Sequence, residues 1–176
     1  MFSGGFGKPE EWWRSEKDIS GGGFYDWGAH YLYWIVKLIP NKIKSILGFV
    51  QKRKWHYITN EDEVKSVISF EGNIVVDIQN SSIAAIKKPR WRILGDKGGI
   101  IEDSGNLRVI KYIDGELIEE EVKADGPKYH KFYYNIADHI LMGEPLEIKL
   151  EEARKVVGII EYTYKSAKEG KPLSFE

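Results

Sequence analysis

The residues best suited to chemistry stand close together near the start of the chain, in Asp26-Trp27-Gly28-Ala29-His30. Asp26 and His30 are four positions apart, so on a helix they share a face. They are the main ionisable pair in an otherwise apolar run. A carboxylate beside an imidazole orients the ring, fixes its tautomer and raises its proton affinity. Such a pair suits general acid–base work on a hydroxyl or carbonyl. A structural Asp–His hydrogen bond tying the helix down fits the same residues, and residue types alone leave both readings open. Gly28 between them allows a ligand or another backbone to approach closely. Gly21-Gly22-Gly23 places free backbone N–H groups near the helix start, where a polar substrate could bind.

Upstream, Trp12-Trp13-Arg14 offers a planar donor fork for a carboxylate or phosphate beside aromatic faces suited to a sugar ring or nicotinamide. Taken alone, aromatic packing under an irregular N-terminal segment is the favoured reading. Pro89-Arg90-Trp91-Arg92 alternates basic and aromatic residues as nucleic-acid binders do. The formal net charge of −1 and the pI near 6.5 favour an exposed sheet face instead. His56 sits in a Lys/Arg-rich loop, and His130 and His139 fall on a helix after Pro127. No His pair carries the helix-spaced acid of a zinc protease, so no metal ligands are assigned.

These residues need elements to hold them. The run Phe24 to Ile39 is expected to be a largely buried helix, with Leu32, Ile35, Val36 and Ile39 on one face, Ser20 as a cap before it and Pro40-Asn41 at its end. Strands are expected over Ile43–Arg53, Glu63–Phe70, Ile74–Ser82, Arg90–Leu94, Ile100–Asp103, Leu107–Ile113 and Glu116–Val122. Glu71-Gly72-Asn73, the Gly95–Gly99 segment and Asp114-Gly115 form the turns, and the last is the strongest hairpin signal. Strands joined by tight turns are antiparallel. A helix follows along Tyr129, Phe132, Ile136 and Ile140, stopped by Gly143 and Pro145. A longer one runs along Ala153, Val156, Val157, Ile160, Tyr164 and Ala167, stopped by Gly170 and Pro172, and a short strand closes at Leu173–Phe175. Strands and helices are segregated. The expected fold is therefore α+β, an open, mostly antiparallel sheet with helices on one face, forming one domain over 1–176 with an irregular Gly-rich segment at 1–22.

Composition narrows the function classes. The 176 residues contain no Cys, which excludes a disulfide scaffold, thiolate chemistry and Cys-ligated zinc. The longest apolar stretch, Trp27 to Ile39, is too short to span a bilayer and is interrupted by Lys37. The N-terminus does not read as a signal peptide, so cytoplasmic residence is expected. Abundant Lys, Glu and Ile with scarce Met weakly suggest a heat-adapted source. Neither a Rossmann glycine fingerprint, a phosphate loop nor a nucleophile elbow is present.

Trp13-Arg14 followed by Gly21-Gly22-Gly23-Phe24-Tyr25-Asp26-Trp27-Gly28-Ala29-His30 resembles the glucose–fructose oxidoreductase / inositol dehydrogenase (Gfo/Idh/MocA) family, where a Gly-rich turn and D-x-G-x-H or D-x-x-x-H open the helix lining the active site. Trp91 to Ile100, Ile140 to Leu146 and Leu150 to Pro172 resemble its later strand–turn–strand, "I-x-x-G-x-P" step and last helix, in the same order. The resemblance implies the C-terminal half of an NAD(P)-dependent sugar or polyol oxidoreductase. The N-terminal Rossmann half, with its E-K-P lysine, would be a separate part, so this chain alone is expected to bind no cofactor and to lack unaided activity. His30 would be the proton donor or acceptor at the reacting oxygen. Asp26 would bind substrate or orient His30, and Arg14, Trp13, Gly22 and Gly23 would contact a small sugar-like or polyol substrate. Hydride would pass between substrate and nicotinamide. One departure is Tyr33, which stands where many members carry an acid three residues after the His. The open sheet is expected to build a homo-oligomer, and neither nucleic acid nor membrane is an expected partner. A non-catalytic ligand-binding or assembly module derived from the family is the alternative.

Overall fold

The computed structural model describes residues 1–103, 105–123, 126 and 128–176; Pro127 lies outside them. The nine described strands form two sheets. The first has five strands in the order β1-β4-β3-β2-β9: β1 (Phe2–Gly4), β2 (Ile43–Gln51), β3 (Glu63–Phe70), β4 (Val75–Ser81) and β9 (Leu173–Ser174). The second is a meander of β5 (Trp91–Gly95), β6 (Gly98–Asp103), β7 (Asn106–Ile113) and β8 (Glu116–Lys123). All pairings are antiparallel except β1 with β4, where Phe2 pairs Gln79. The α+β, mostly antiparallel expectation holds.

The helices are a single turn α1 (Lys17–Ser20), α2 (Ala29–Leu38), α3 (Tyr129–Met142) and α4 (Leu150–Glu169). The core lies between the first sheet and the pair α2 and α4. From β2 and β3, alternate residues Ile46, Val64 and Ile68 point inward with period 2. From α2, Leu32, Ile35 and Val36 meet them at helical spacing, and from α4, Val156, Ile159 and Ile160. The α4–β2 seam is unusually close. A Cβ at Gly48 would lie 1.9 Å from the Thr163 carbonyl oxygen. Polar groups are paired across the seam: the Ser66 and Thr163 hydroxyls are 2.8 Å apart, and the Gly48 amide donates to Ser166 Oγ at 3.0 Å.

Two expectations need correction. The segment 1–22 is not wholly irregular, because Phe2–Gly4 forms β1 along the edge of β4. Three residues are too short for an alternation to be read. The helix expected over Phe24–Ile39 opens with a π-helical stretch, Phe24–Gly28, before becoming α-helical at Ala29. Elsewhere the expected turns hold, with Asp114 (φ 51°) and Gly115 (φ 90°) both left-handed in the β7–β8 hairpin. Among the described residues, no helix is long and apolar enough to cross a membrane.

Candidate functional site

A cleft of about 440 Å³ opens where the β1 end, the segment Trp12–Ser15, the π-helical stretch, the 58–62 loop and the β4 end converge. Trp12, Arg14, Gly23, Asp26, Trp27 and Lys87 are among the residues lining it. Two long-range tethers bring the Trp12–Ser15 segment to the cleft. Asn60 donates from Nδ2 to the Arg14 carbonyl at 2.6 Å, and the amides of Thr59 and Asn60 both donate to the Ser15 carbonyl.

Arg14 is poised between three partners. Its guanidinium carbon lies 5.1 Å from the ring centres of Trp12 and of Trp13, and Nη1 lies 3.8 Å from the Asp26 carboxylate. The separation from Asp26 is ion-pair distance without a close hydrogen bond, so the fork retains donor capacity toward the cleft. The indoles fix the plane of the guanidinium by cation–π contact.

The Gly-rich turn is organised by a buried carboxylate that sequence reading did not single out. The Glu61 side chain is 3% exposed. It accepts from Tyr164 Oη at 2.6 Å, from the Phe24 amide at 3.3 Å and from Lys17 Nζ at 3.0 Å. Burial, then the adjacent Glu61 charge, pushes the Tyr164 phenol above its ordinary pKa, so it remains a donor. Gly22 packs directly on this pair: at φ +115°, a Cβ there would sit 2.5 Å from Tyr164 Oη and 2.8 Å from Glu61 Oε1. The neighbouring Asp62 is fully buried. Burial opposes its ionisation, yet amide hydrogen bonds from Lys54 and Arg53 (each 2.6 Å), with Lys52 and Trp55, hold its pKa below the usual value.

Several expected roles change. Among the described residues no hydrogen bond joins Asp26 to His30. Asp26 turns to Arg14, while the exposed His30 ring lies 6.0 Å from Trp27 and does not line the cleft. The π-helical stretch is the physical reason, since its wider turn breaks the regular four-residue stacking. Gly28 admits the chain's own Phe24 ring, which a Cβ would approach to 2.3 Å, and not a ligand. The amides around the glycine run are largely used internally: Gly21 donates to Lys17, Gly22 to Ser20 Oγ, and Phe24 to Glu61. Gly22 is buried and only Gly23 of the run lines the cleft. Ser20 closes this turn, and no side-chain cap bond is made at the following helix. Tyr33 faces α4, with its hydroxyl 3.4 Å from Glu152, which also pairs with Lys37 at 3.1 Å. Trp13 is 54% exposed and does not line the cleft, its ring centre lying 5.8 Å from that of Trp12, which does.

The other motifs lie apart. Trp91 packs on Trp34 with ring centres 6.0 Å apart, and Arg90 pairs with Glu102 at 3.6 Å. His139 Nδ1 is 2.6 Å from the Glu144 carbonyl and His130 meets Tyr134 edge-on, with ring centres 5.7 Å apart. Among the described residues, no group of three His, Cys, Asp or Glu converges as a metal site would require. The only parallel pairing among them is the three-residue β1–β4 ladder, with no β-α-β crossover. This does not fit a Rossmann-type dinucleotide site.

A mixed fold of this kind is shared with solved structures described as oxidoreductases. Bacillus subtilis YvaA, described as an oxidoreductase, superposes with a TM-score of 0.87 at 20% identity, over 99% of this chain and 57% of that one. An NAD-binding protein from Listeria innocua gives 0.82 at 22% identity, over 98% and 53%. A Desulfitobacterium hafniense protein, described as an NADPH-dependent oxidoreductase, gives 0.82 at 16%, over 99% and 55%. At these identities the likeness defines the fold alone, and this chain spans a little over half the length of each neighbour. The family profile for the GFO/IDH/MocA C-terminal domain matches residues 2–101, and the chain belongs to that family. No curated protein matches the sequence.

Proposed function

We propose that this chain is the substrate-binding and oligomerisation half of an NAD(P)-dependent sugar or polyol oxidoreductase, working with a cofactor-binding half carried elsewhere. The observation that carries the reading is the cleft itself. It combines indole faces, an Arg fork with spare donors and an acid, the mixture a polyhydroxylated ring requires. The tight Glu61–Tyr164–Gly22 packing keeps its floor rigid. Trp12, Trp13 and Trp27 bracket the ring, while Arg14 and Asp26 orient hydroxyls. His30, exposed on the helix just beyond Trp27, exchanges a proton with the reacting oxygen once the second half closes over the cleft. The substrate is a small sugar-like molecule or polyol, and the chain works in the cytoplasm.

Self-association uses the second sheet. Cross-strand register puts Trp91, Ile93, Ile100, Leu107, Val109 and Ile118 on one face, where Ile93, Ile100 and Ile118 are substantially exposed.

The test is turnover after mixing the chain with a cofactor-binding partner half. Activity should appear with the wild-type chain and vanish with His30→Ala, whose exposed position leaves folding unchanged. Rescued activity that survives His30→Ala refutes the proton-transfer role. Ligand binding without rescue by any partner favours the non-catalytic module.

A further inference from the structure

The charges around the cleft do not balance. Among the described residues, five charged side chains line it: Arg14, Asp26, Glu61, Asp62 and Lys87. Each acid already has a cation. Asp26 faces Arg14 at 3.8 Å, Glu61 holds Lys17 at 3.0 Å, and Asp62 holds Lys52 at 3.3 Å as well as three backbone amides. Glu61 and Asp62 are also almost wholly buried, so their charges are spent on the chain itself. Lys87 has no hydrogen-bonding or ion-pair partner among the described residues. Lys87 is exposed, and its stem passes Gly5, where a Cβ would come within 3.1 Å of Lys87 Cε and 3.8 Å of Nζ. Larger residues there would push the ammonium out of the cleft.

A cleft whose acids are neutralised and whose remaining charge is one ammonium favours a ligand carrying one negative group. Arg14 adds to this bias, because its contact with Asp26 leaves guanidinium donors unused. We propose that the cleft takes an anionic polyol, a sugar acid or sugar phosphate, whose carboxylate or phosphate is held by Lys87 while its hydroxylated ring lies among the indoles. This rests on the reading of the cleft as a substrate site and adds the charge class of the substrate.

The test is titration of the intact chain with D-glucuronate, D-glucose 6-phosphate and D-glucose at constant ionic strength, following Trp fluorescence. It is repeated with Lys87→Ala and with Lys88→Ala, the adjacent lysine that does not line this cleft. Saturable binding of glucuronate or of glucose 6-phosphate, tighter than glucose and weakened about tenfold by Lys87→Ala alone, is the expected result, as for loss of one charge-assisted contact. Binding of only one of the two anions supports the inference and identifies the carboxylate or the phosphate as the group held. Equal binding of all three, indifferent to Lys87→Ala, overturns the anionic class while leaving the cleft as a sugar site. An equal loss with Lys87→Ala and Lys88→Ala also overturns it, since a diffuse basic surface would then suffice. Failure of all three to saturate overturns both this inference and the substrate reading beneath it.

Discussion

Gly22→Ala is the sharpest structural perturbation near the cleft, and Gly23→Ala is its control. At φ +115°, Gly22 occupies backbone space that L-residues avoid, so alanine there costs about 1–3 kcal/mol in strain. The new Cβ would also lie 2.5 Å from Tyr164 Oη and 2.8–2.9 Å from both Glu61 oxygens, which must move apart. Disrupting a buried hydrogen bond to a charged group adds about 1.5–3 kcal/mol. The sum is roughly 3–5 kcal/mol, allowing for overlap between the two effects. In a domain of this size that lowers Tm by roughly 6–20 °C. Gly23, one residue on, has φ −63° and ψ −21° and no atom nearer than 3.6 Å to a built Cβ. Alanine fits there and gains up to about 1 kcal/mol of helix propensity. Thermal and urea unfolding followed by far-UV circular dichroism measures both. Equal effects of the two substitutions, or a Gly22→Ala cost below about 1 kcal/mol, would refute the argument that Glu61 and Tyr164 lock this turn.

Asp62 has a folded pKa below its ordinary 3.8, so its stabilising contribution is full well above that value and is lost progressively as pH falls through it to the lower folded value. Asp62→Ala, which strips the amides of Arg53 and Lys54 of their acceptor, should cost about 2–3 kcal/mol at pH 7 and progressively less toward pH 2, read by urea unfolding across pH. Gly48→Ala should lower the urea midpoint by the equivalent of about 3 kcal/mol or more, because the obstacle is the Thr163 backbone 1.9 Å away and no side chain can yield. Ile100→Lys, on the apolar face of the second sheet, should convert a self-associating chain to monomer in sedimentation velocity at micromolar concentration; a wild-type chain that already sediments as a monomer counts against that interface.

The longer strands were legible because they carry alternations bounded by Gly, Asn or Asp. Glu63–Phe70 has both ends where the pattern puts them, and Asp114-Gly115 supplies the two left-handed residues its hairpin needs. Partnering was not legible. The division into two sheets depends on where the chain leaves β4, and the 82–90 segment carries no alternation that says so. The Gly-rich turn, Asp26 and Arg14 stood out as candidates from their order along the chain, and Arg14, Gly23 and Asp26 line the cleft. Their contacts were not, because a π-helical stretch looks like an α-helix in sequence, and four-residue spacing then misassigns Asp26's partner. Glu61 was hidden for another reason. Asn60-Glu61-Asp62 reads as a polar loop, and only the fold brings Tyr164, a hundred residues later, onto its carboxylate. Ser20 and the three glycines suggested a cap and free amides for a ligand, whereas the Gly21 and Gly22 amides are taken by the Lys17 carbonyl and the Ser20 hydroxyl.

The central claim is that the cleft beside Trp12, Trp13 and Trp27 receives a sugar-like ligand while the dinucleotide is bound by another half. Two-dimensional ¹H–¹⁵N spectra resolve the indole N–H of each of the six Trp residues. One titration series with hexoses, hexose acids and inositols, then with NADH and NADPH, tests the claim directly. The account predicts saturable shifts of the Trp12, Trp13 and Trp27 signals with at least one sugar or polyol, unmoved signals from Trp34 and Trp91, and no saturable shift with either dinucleotide. Saturable shifts with NADH or NADPH, or sugar shifts confined to Trp34 and Trp91, would contradict it.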